Sequence, residues 1–208
     1  MDSAHWDERY AGKELVWSAG PNVFVADATA DLPPGAVLDL AAGEGRNALW
    51  LAERGWRATA VDFSRVALDR AEALARERDI RPPGSFTTVH ADLLDYVPPA
   101  RSYDLVLVAY LQVPAAERRL VLRRAAEAVA AGGTLLVVAH DSDNLAHGTG
   151  GPQDPTVLYT AADVVADIAG TGLEVTRAEP VRRVVPADDG DREAIDALLL
   201  ARRPVAGA

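Results

Sequence analysis

The sequence contains no cysteine among its 208 residues. Without thiols the chain can form neither disulfides nor a thiolate metal site, and no cysteine can act as a nucleophile. Basic residues are also too few to dominate the surface, because 21 Lys and Arg stand against 31 Asp and Glu, a formal net charge of −10. Binding to DNA or RNA requires a basic face that neutralises phosphates, so we expect no nucleic-acid partner. The same charge argues against binding to an anionic membrane surface.

Long apolar runs are missing as well. No stretch of the sequence reaches the roughly 18–20 apolar residues that are needed to span a bilayer, and the polar first residues lack the apolar segment of a signal peptide. We therefore expect a cytoplasmic protein with no membrane partner. A composition of 49% apolar and 25% charged residues is typical of a globular domain, and the length favours one domain over residues 1–208.

What the sequence does contain is a glycine-rich turn in residues 36–48. An apolar run leads to Asp39, two small residues follow, and Gly43-Glu44-Gly45 comes immediately before a helical pattern that opens near Arg46. A buried strand that enters such a turn and then a helix is typical of nucleotide binding. Glycines let the backbone approach the ligand closely, and the N-terminus of the helix presents unpaired N–H groups to it.

From residue 36 onward, strand and helix patterns alternate. We predict strands at 36–41, 57–62, 86–90, 103–111 and 134–139, and helices at 46–54, from Ser64, from Pro114 to Gly132-Gly133, and at 160–169. This repetition indicates an α/β fold with a doubly wound, mostly parallel sheet. Two last strands, 173–185 and 194–202, are joined by a connection short enough for an antiparallel hairpin at or near one edge.

Three regions follow from this pattern within one domain. About 35 residues precede the first strand, with short helices predicted at 5–12 and 21–31. We expect residues 1–35 to form a helical lid, residues 36–140 the cofactor-binding core, and residues 141–208 a substrate-side loop, a helix and the C-terminal hairpin.

The glycine turn alone does not decide which ligand binds. Residues 43–48 satisfy the G-x-G-x-x-G/A pattern, and Asp62 follows Gly45 by 17 residues, which fits an NAD(P)-dependent oxidoreductase too. Asp39 favours a different ligand, because a buried carboxylate needs a compensating partner. It would repel a pyrophosphate but would attract a cation that bears an ammonium and a sulfonium. Asp92, directly after the third strand, can accept a hydrogen bond from an exocyclic amine such as adenine N6.

These residues resemble the class I S-adenosylmethionine-dependent methyltransferases, over roughly residues 5–204. The first motif of that family, an acid followed by a small-residue G-x-G turn, matches residues 39–45, with Ala41 where many members carry glycine. The ribose-binding acid of the family matches Asp62 and its adenine-side acid matches Asp92. Residues 6–10 and 45–47 look like bacterial small-molecule methyltransferases of the tellurite-resistance and thiol-methylating kind.

The resemblance implies a seven-stranded Rossmann-like sheet in the order 3-2-1-4-5-7-6, with strand 7 antiparallel. It also implies S-adenosyl-L-methionine as the cofactor, released as S-adenosyl-L-homocysteine. The candidate cofactor-binding residues are Tyr10, Trp17, Asp39, Ala41, Gly43, Gly45, Arg46, Asp62, Phe63, Ser64, Asp92, Leu93 and Ala109.

The candidate catalytic residues are Tyr110 and His140, because ligands of doubly wound sheets bind beyond the carboxyl ends of the strands. Further candidates for the acceptor pocket are Gln112, Asp141, Gln153 and Tyr159. We expect no metal site, since the His and Asp residues at 140–147 match no metal-binding spacing.

The segment after the fourth strand restricts the methyl acceptor. Methyltransferases that act on nucleobase or amide nitrogens commonly carry Asn/Asp-Pro-Pro-Tyr/Phe there, whereas this chain has Ala-Tyr-Leu-Gln at 109–112. Together with the acidic surface, this favours a small-molecule acceptor, methylated on S, O or N by direct in-line displacement. A thiol acceptor would need little help, while an alcohol would need a base such as His140. The alternatives are an NAD(P)-dependent oxidoreductase and a non-catalytic S-adenosylmethionine-binding module, and we expect a monomer or homodimer.

Overall fold

A computed structural model describes residues 20–186 and 190–205 of the chain. The predicted helix at 5–12 and the candidate residues Tyr10 and Trp17 lie outside these described residues.

The described part of the chain contains one seven-stranded sheet. Its strands are β1 (Ala36–Leu40), β2 (Arg57–Asp62), β3 (Ser85–His90), β4 (Tyr103–Ala109), β5 (Val129–His140), β6 (Glu174–Val185) and β7 (Arg192–Arg202). Their order in the sheet is β3-β2-β1-β4-β5-β7-β6. The pairs among β1 to β5 are parallel, and β7 is antiparallel to both β5 and β6. The predicted fold, including its terminal antiparallel hairpin, is confirmed.

Helices cover both faces of this sheet. They are α1 (Val23–Thr29), α2 (Arg46–Ala52), α3 (Arg65–Glu77), α4 (Ala115–Ala128), α5 (Asn144–His147) and α6 (Ala161–Asp167), with a 3₁₀ turn at Pro155–Val157. Local sequence explains where two of them begin. The Ser64 hydroxyl accepts a hydrogen bond from the Ala67 N–H at the start of α3, and Thr160 and Asp163 form a reciprocal capping box at the start of α6.

Two apolar clusters hold the layers together, one on each face of the central strands. In β4, Leu105 and Leu107 point into the cluster that contains residues of α1 and α2, while Val106 and Val108 point into the cluster that contains residues of α4 and α6. All four side chains are fully buried. Because β4 is buried on both faces, its sequence is a nearly continuous apolar run.

The predicted end of the helix that follows Pro114 is wrong. The helix ends at Ala128, and β5 begins at Val129 rather than at Thr134. The Arg203 side chain donates hydrogen bonds to the carbonyls of Ala126 and Val129, which satisfies the helix end from outside. Gly132 and Gly133 then form an irregularity inside the strand, where the pairing of β4 with β5 shifts register.

Within the described residues, every helix is too short or too polar to cross a lipid bilayer.

Candidate active site

The glycine turn between β1 and α2 is built from left-handed backbone. Ala41, Gly43 and Gly45 have φ angles of 59°, 55° and 73°. The Ala42 N–H donates to the Val61 carbonyl of the neighbouring strand, and the Gly45 N–H donates to the Ala42 carbonyl. Glycine adopts this conformation without strain, whereas the Cβ atom of Ala41 makes the conformation unfavourable there. The turn therefore brings the start of α2 close to the carboxyl end of β1.

Gly45 has no room for a side chain. A Cβ atom there would lie 3.2 Å from both the Ala71 Cβ and the Phe86 Cζ, in addition to the strain of its left-handed φ. We expect Gly45→Ala to destabilise the fold by roughly 1–3 kcal/mol and to weaken ligand binding at the turn about five- to tenfold. Thermal unfolding and calorimetry measure both effects.

Gly170→Ala is the matched control, because Gly170 has a φ of 78° but no atom within 4 Å of its would-be Cβ. In the control, only the strained backbone conformation lowers the stability. Equal losses of stability in the two variants would contradict the role of close packing at Gly45.

Asp62, at the end of β2, ties the glycine turn to the start of α3. Its Oδ2 accepts a hydrogen bond from the Gly43 N–H (2.8 Å), and its Oδ1 accepts one from the Ser64 N–H (2.9 Å). The side chain is only 5% exposed. Carboxylate oxygens accept hydrogen bonds from hydroxyl groups, which makes Asp62 a candidate partner for a ligand hydroxyl at this edge.

Asp39 is a buried carboxylate, and its side chain is 1% exposed. Neither of its oxygens has a hydrogen bond of normal geometry to any described residue. The pKa of Asp39 is raised from 3.8 to about 7, chiefly by burial and to a lesser extent by the charge of Asp62, and the Ala48 amide and the Arg46 guanidinium offset only part of this rise. Burying such a group without compensation is costly. A ligand with a positively charged N–H group would satisfy it.

The remaining candidate cofactor residues lie along the same edge of the sheet. Asp92 is exposed just after β3, where its Oδ1 accepts a hydrogen bond from the Leu94 N–H. Leu93 is buried in the core, and Phe63, after β2, is half-buried. Ala109 ends β4 and is half-buried, while Ser64 is buried as the cap of α3.

A second polar group lies at the carboxyl ends of β4 and β5, and we call it the Asp196 cluster. It consists of Asp196, Tyr110, His140, Arg183 and Asn22. The Asp196 Oδ2 accepts hydrogen bonds from the Tyr110 hydroxyl (2.8 Å) and the Arg183 Nε (2.7 Å). The His140 Nδ1 lies 3.3 Å from the Asp196 Oδ1. The Tyr110 hydroxyl also accepts from the Asn22 Nδ2 (3.0 Å) and the Arg183 Nε (3.1 Å).

Charge keeps Asp196 ionised although it is fully buried. Burial alone would raise its pKa, but the contacts with His140, Arg183 and Tyr110 together hold the pKa below its ordinary value. For Tyr110 the direction is opposite, because burial first and the Asp196 charge second raise the pKa of the phenol. The tyrosine therefore stays protonated and donates to the carboxylate.

Arg46 lies between the two parts of the site. Its guanidinium carbon is 5.9 Å from the centre of the Tyr110 ring, and its charge acts on Asp39. The backbone N–H of Asn22 donates to the Asn47 Oδ1 in α2. The Asp196 cluster is thus attached directly to the helix that the glycine turn opens.

Sequence reasoning missed Asn22, Arg183 and Asp196. One signal pointed to Asp196, since it is the single charged residue in the apolar segment 194–201, just as Asp39 interrupts β1. The other two have no comparable signal, because Arg183 lies in a strand with several charges and Asn22 reads as an ordinary helix cap.

The other candidates for the acceptor pocket serve as supports. The Gln112 Oε1 accepts from the His140 N–H, and its Nε2 donates to the Val157 carbonyl. Tyr159 is buried in the cluster of α4 and α6, with its hydroxyl bonded to the Leu111 carbonyl. Asp141 is buried and accepts from the Asp143 N–H, whereas Gln153 is exposed. No group of three or more potential metal ligands occurs among the described residues.

Known proteins with this architecture are numerous, and three solved structures illustrate it. The structure described as "Conversion of a Disulfide Bond into a Thioacetal Group during Echinomycin Biosynthesis" is 21% identical, covers 99% of this chain and 94% of its own, and has a TM-score of 0.75. TehB from Haemophilus influenzae is 18% identical over 97% of this chain and 66% of its own (TM-score 0.70). Magnesium protoporphyrin IX methyltransferase from Synechocystis PCC 6803, with bound S-adenosylhomocysteine, is 18% identical over 97% and 94% (TM-score 0.66).

These identities establish a shared fold only. No curated protein matches the sequence closely enough to count as a relative. A family profile described as "Methyltransferase domain" does match residues 37–133, just under half of the chain, a stretch that includes the glycine turn, Asp39, Asp62 and Asp92. This domain indicates S-adenosylmethionine as the cofactor, as predicted. Residues 37–133 thus match a methyltransferase domain, and the chain shares the fold of the three solved structures.

Proposed function

We propose that this protein transfers a methyl group from S-adenosylmethionine to a small-molecule acceptor by direct in-line displacement. The observation that supports this most strongly is Asp39, a carboxylate buried beside the glycine turn, whose oxygens make no hydrogen bond of normal geometry within the described part of the chain. An ammonium group supplies the charge and the hydrogen-bond donors that this residue needs. A pyrophosphate at the same place would add negative charge beside it.

Each end of the cofactor has a residue suited to hold it. Asp39 would face the ammonium, the Asp62 carboxylate would accept from the ribose hydroxyls, and Asp92 would accept from the adenine amine. The bound cofactor supplies a methyl group on a positively charged sulfur, which leaves as a neutral thioether. The protein has to orient the acceptor in line and exclude water, and such orientation is worth roughly 7–11 kcal/mol.

The Asp196 cluster supports a small-molecule acceptor. Tyr110 and His140, the two candidate catalytic residues, belong to it, and it lies at the carboxyl ends of β4 and β5, beside the glycine turn. With a net charge of −10 the chain has no excess of basic residues for a nucleic acid. One of the three structures is a methyltransferase of magnesium protoporphyrin IX, and the fold thus serves small acceptors elsewhere.

Binding and turnover test this proposal separately. Calorimetry is expected to detect binding of S-adenosylmethionine and S-adenosylhomocysteine but not of NAD⁺ or NADP⁺. Binding of the nicotinamide cofactors alone would overturn the proposal in favour of an oxidoreductase. Formation of S-adenosylhomocysteine across a panel of thiols, phenols and amines, compared with a control without acceptor, then distinguishes an enzyme from a module that only binds the cofactor.

A further inference from the structure

His140 has one ring nitrogen directed at a carboxylate. The Asp196 Oδ2 is occupied by Tyr110 and Arg183, so the Oδ1, 3.3 Å from the His140 Nδ1, is the oxygen left for the histidine. Among the described residues, neither of these two atoms has another hydrogen-bond partner. A buried acceptor of this kind favours the tautomer that carries its proton on Nδ1. The lone pair then lies on Nε2, which makes no hydrogen bond to any described residue.

The imidazole ring is fixed by its surroundings. A Cβ atom at Gly151 would lie 2.8–2.9 Å from three ring atoms, so only glycine lets the backbone pack against the ring there. The Tyr110 ring lies 4.9 Å away, centre to centre, and Gln112 binds the His140 backbone N–H. Two separate segments, residues 110–112 and the one that contains Gly151, therefore hold one orientation of the ring, as a positioned base requires.

Tyr110 is not equipped to remove a proton. Its hydroxyl donates to Asp196 and accepts from both Asn22 and Arg183, which uses its donor and both acceptor sites. The groups that face His140 are thus the Asp196 carboxylate from β7, the Arg183 guanidinium from β6 and the Tyr110 phenol after β4.

We propose that His140 is the general base for an acceptor that arrives as a protonated hydroxyl, such as a phenol or enol, and that Asp196 is the residue that positions it. This inference rests on the proposed methyl transfer and names its acceptor class. The acceptor oxygen bonds to the methyl carbon as the carbon–sulfur bond breaks with its electron pair on sulfur. The hydroxyl proton passes to the His140 Nε2 and from there to solvent.

A positioned base raises the rate of methyl transfer more for a hydroxyl acceptor than for a thiol. A thiol ionises readily near neutral pH and attacks without assistance, whereas a phenol remains protonated and gains from a base typically 10²- to 10⁴-fold. The Arg183 guanidinium balances the Asp196 charge, so the two together hold the ring without adding net charge to the site.

Variants tested on acceptors of graded acidity give the first readout. The set consists of His140→Gln, Asp196→Asn and the control His147→Gln, which changes an exposed histidine seven residues away. With phenol as the acceptor, the first two are expected to lower kcat at least about 50-fold, with the KM for S-adenosylmethionine within about threefold. The ratio of the wild-type kcat to the variant kcat should fall toward 1 with 4-nitrophenol and benzenethiol, which ionise unaided. His147→Gln should match the wild type throughout.

Nitrogen NMR of the histidine side chains gives a readout that does not depend on turnover. In the wild type, without cofactor, His140 is expected to carry its proton on Nδ1, and Asp196→Asn should change this tautomer while His147 stays the same.

Three results would overturn the inference. One is a wild type that methylates thiols or amines but no phenol, which leaves the proposed function standing. The second is an equal loss in the variants for every acceptor, the mark of a structural role. The third is a proton on Nε2 in the wild type. Absence of methylation with every acceptor would instead overturn the proposed function itself.

Discussion

Asp39→Asn is expected to lower the affinity for S-adenosylmethionine at least about 100-fold, since removing one partner of a buried charge pair costs roughly 3–5 kcal/mol. The substitution keeps the shape of the side chain but removes the charge that the ammonium would meet. Isothermal calorimetry at about pH 7.5 measures the change. An affinity within threefold of the wild type would show that Asp39 does not face the cofactor, and the proposed orientation would fall.

The same substitution should stabilise the protein without ligand. The pKa of Asp39 is about 7 in the fold against an ordinary value of 3.8, so the folded state binds the proton more tightly than the unfolded one. The contribution of Asp39 to the stability of the wild type therefore falls as the pH rises from about 4 to 7, and the full cost, on the order of 4 kcal/mol, remains above pH 7. The neutral amide escapes this cost but also lacks partners, so we expect a net gain of roughly 1–3 kcal/mol at about pH 8.

Denaturant unfolding at several pH values tests the sign of this predicted change in the free energy of unfolding. The stability of the variant relative to the wild type should be lowest near pH 4 and should rise by about 4 kcal/mol toward pH 8. Asp69→Asn is the control, because Asp69 is an exposed acid that pairs with Arg65 on the surface of α3; its stability should stay within about 0.5 kcal/mol of the wild type. A loss of stability in Asp39→Asn at about pH 8 would contradict an unpartnered carboxylate.

Part of this site could be predicted from the sequence, because a charged residue interrupts an apolar strand. Asp39 could be singled out because a strand buried on both faces has no use for a charge unless a partner meets it. The strand order and the hairpin followed in the same way from the alternation of patterns and the family resemblance. The end of α4 did not follow, because Arg203, whose side chain binds the carbonyls at that end, lies beyond three further strands and two helices.

The Asp196 cluster shows why the other site residues could not be predicted from the sequence. Asp196 meets Arg183 only because β6 and β7 pair as a hairpin, and it meets Tyr110 across 86 residues of sequence. Such contacts depend on register, and a change of one residue would turn each side chain to the other face of the sheet. A pattern read along the chain identified Tyr110 and His140 as strand-end residues but not what holds them.

Asp62→Ala is expected to weaken S-adenosylmethionine binding roughly 30- to 100-fold, because the hydrogen bonds of a charged acceptor contribute about 1.5–3 kcal/mol each. Two effects combine in this number. The ribose hydroxyls lose their acceptor, and the glycine turn loses the carboxylate that holds the Gly43 and Ser64 amides.

The second effect also costs stability, and this separates the two roles of Asp62. Two buried amides left without acceptors should lower the free energy of unfolding by roughly 2–4 kcal/mol, with Asp69→Ala as the surface control. If the ribose contact matters beyond the shape of the turn, the affinity for adenosine should fall along with that for the whole cofactor, while methionine alone binds as weakly as before. Unchanged cofactor affinity in a folded Asp62→Ala protein would remove Asp62 from the site. It would leave the carboxylate as a brace between β2, the glycine turn and α3.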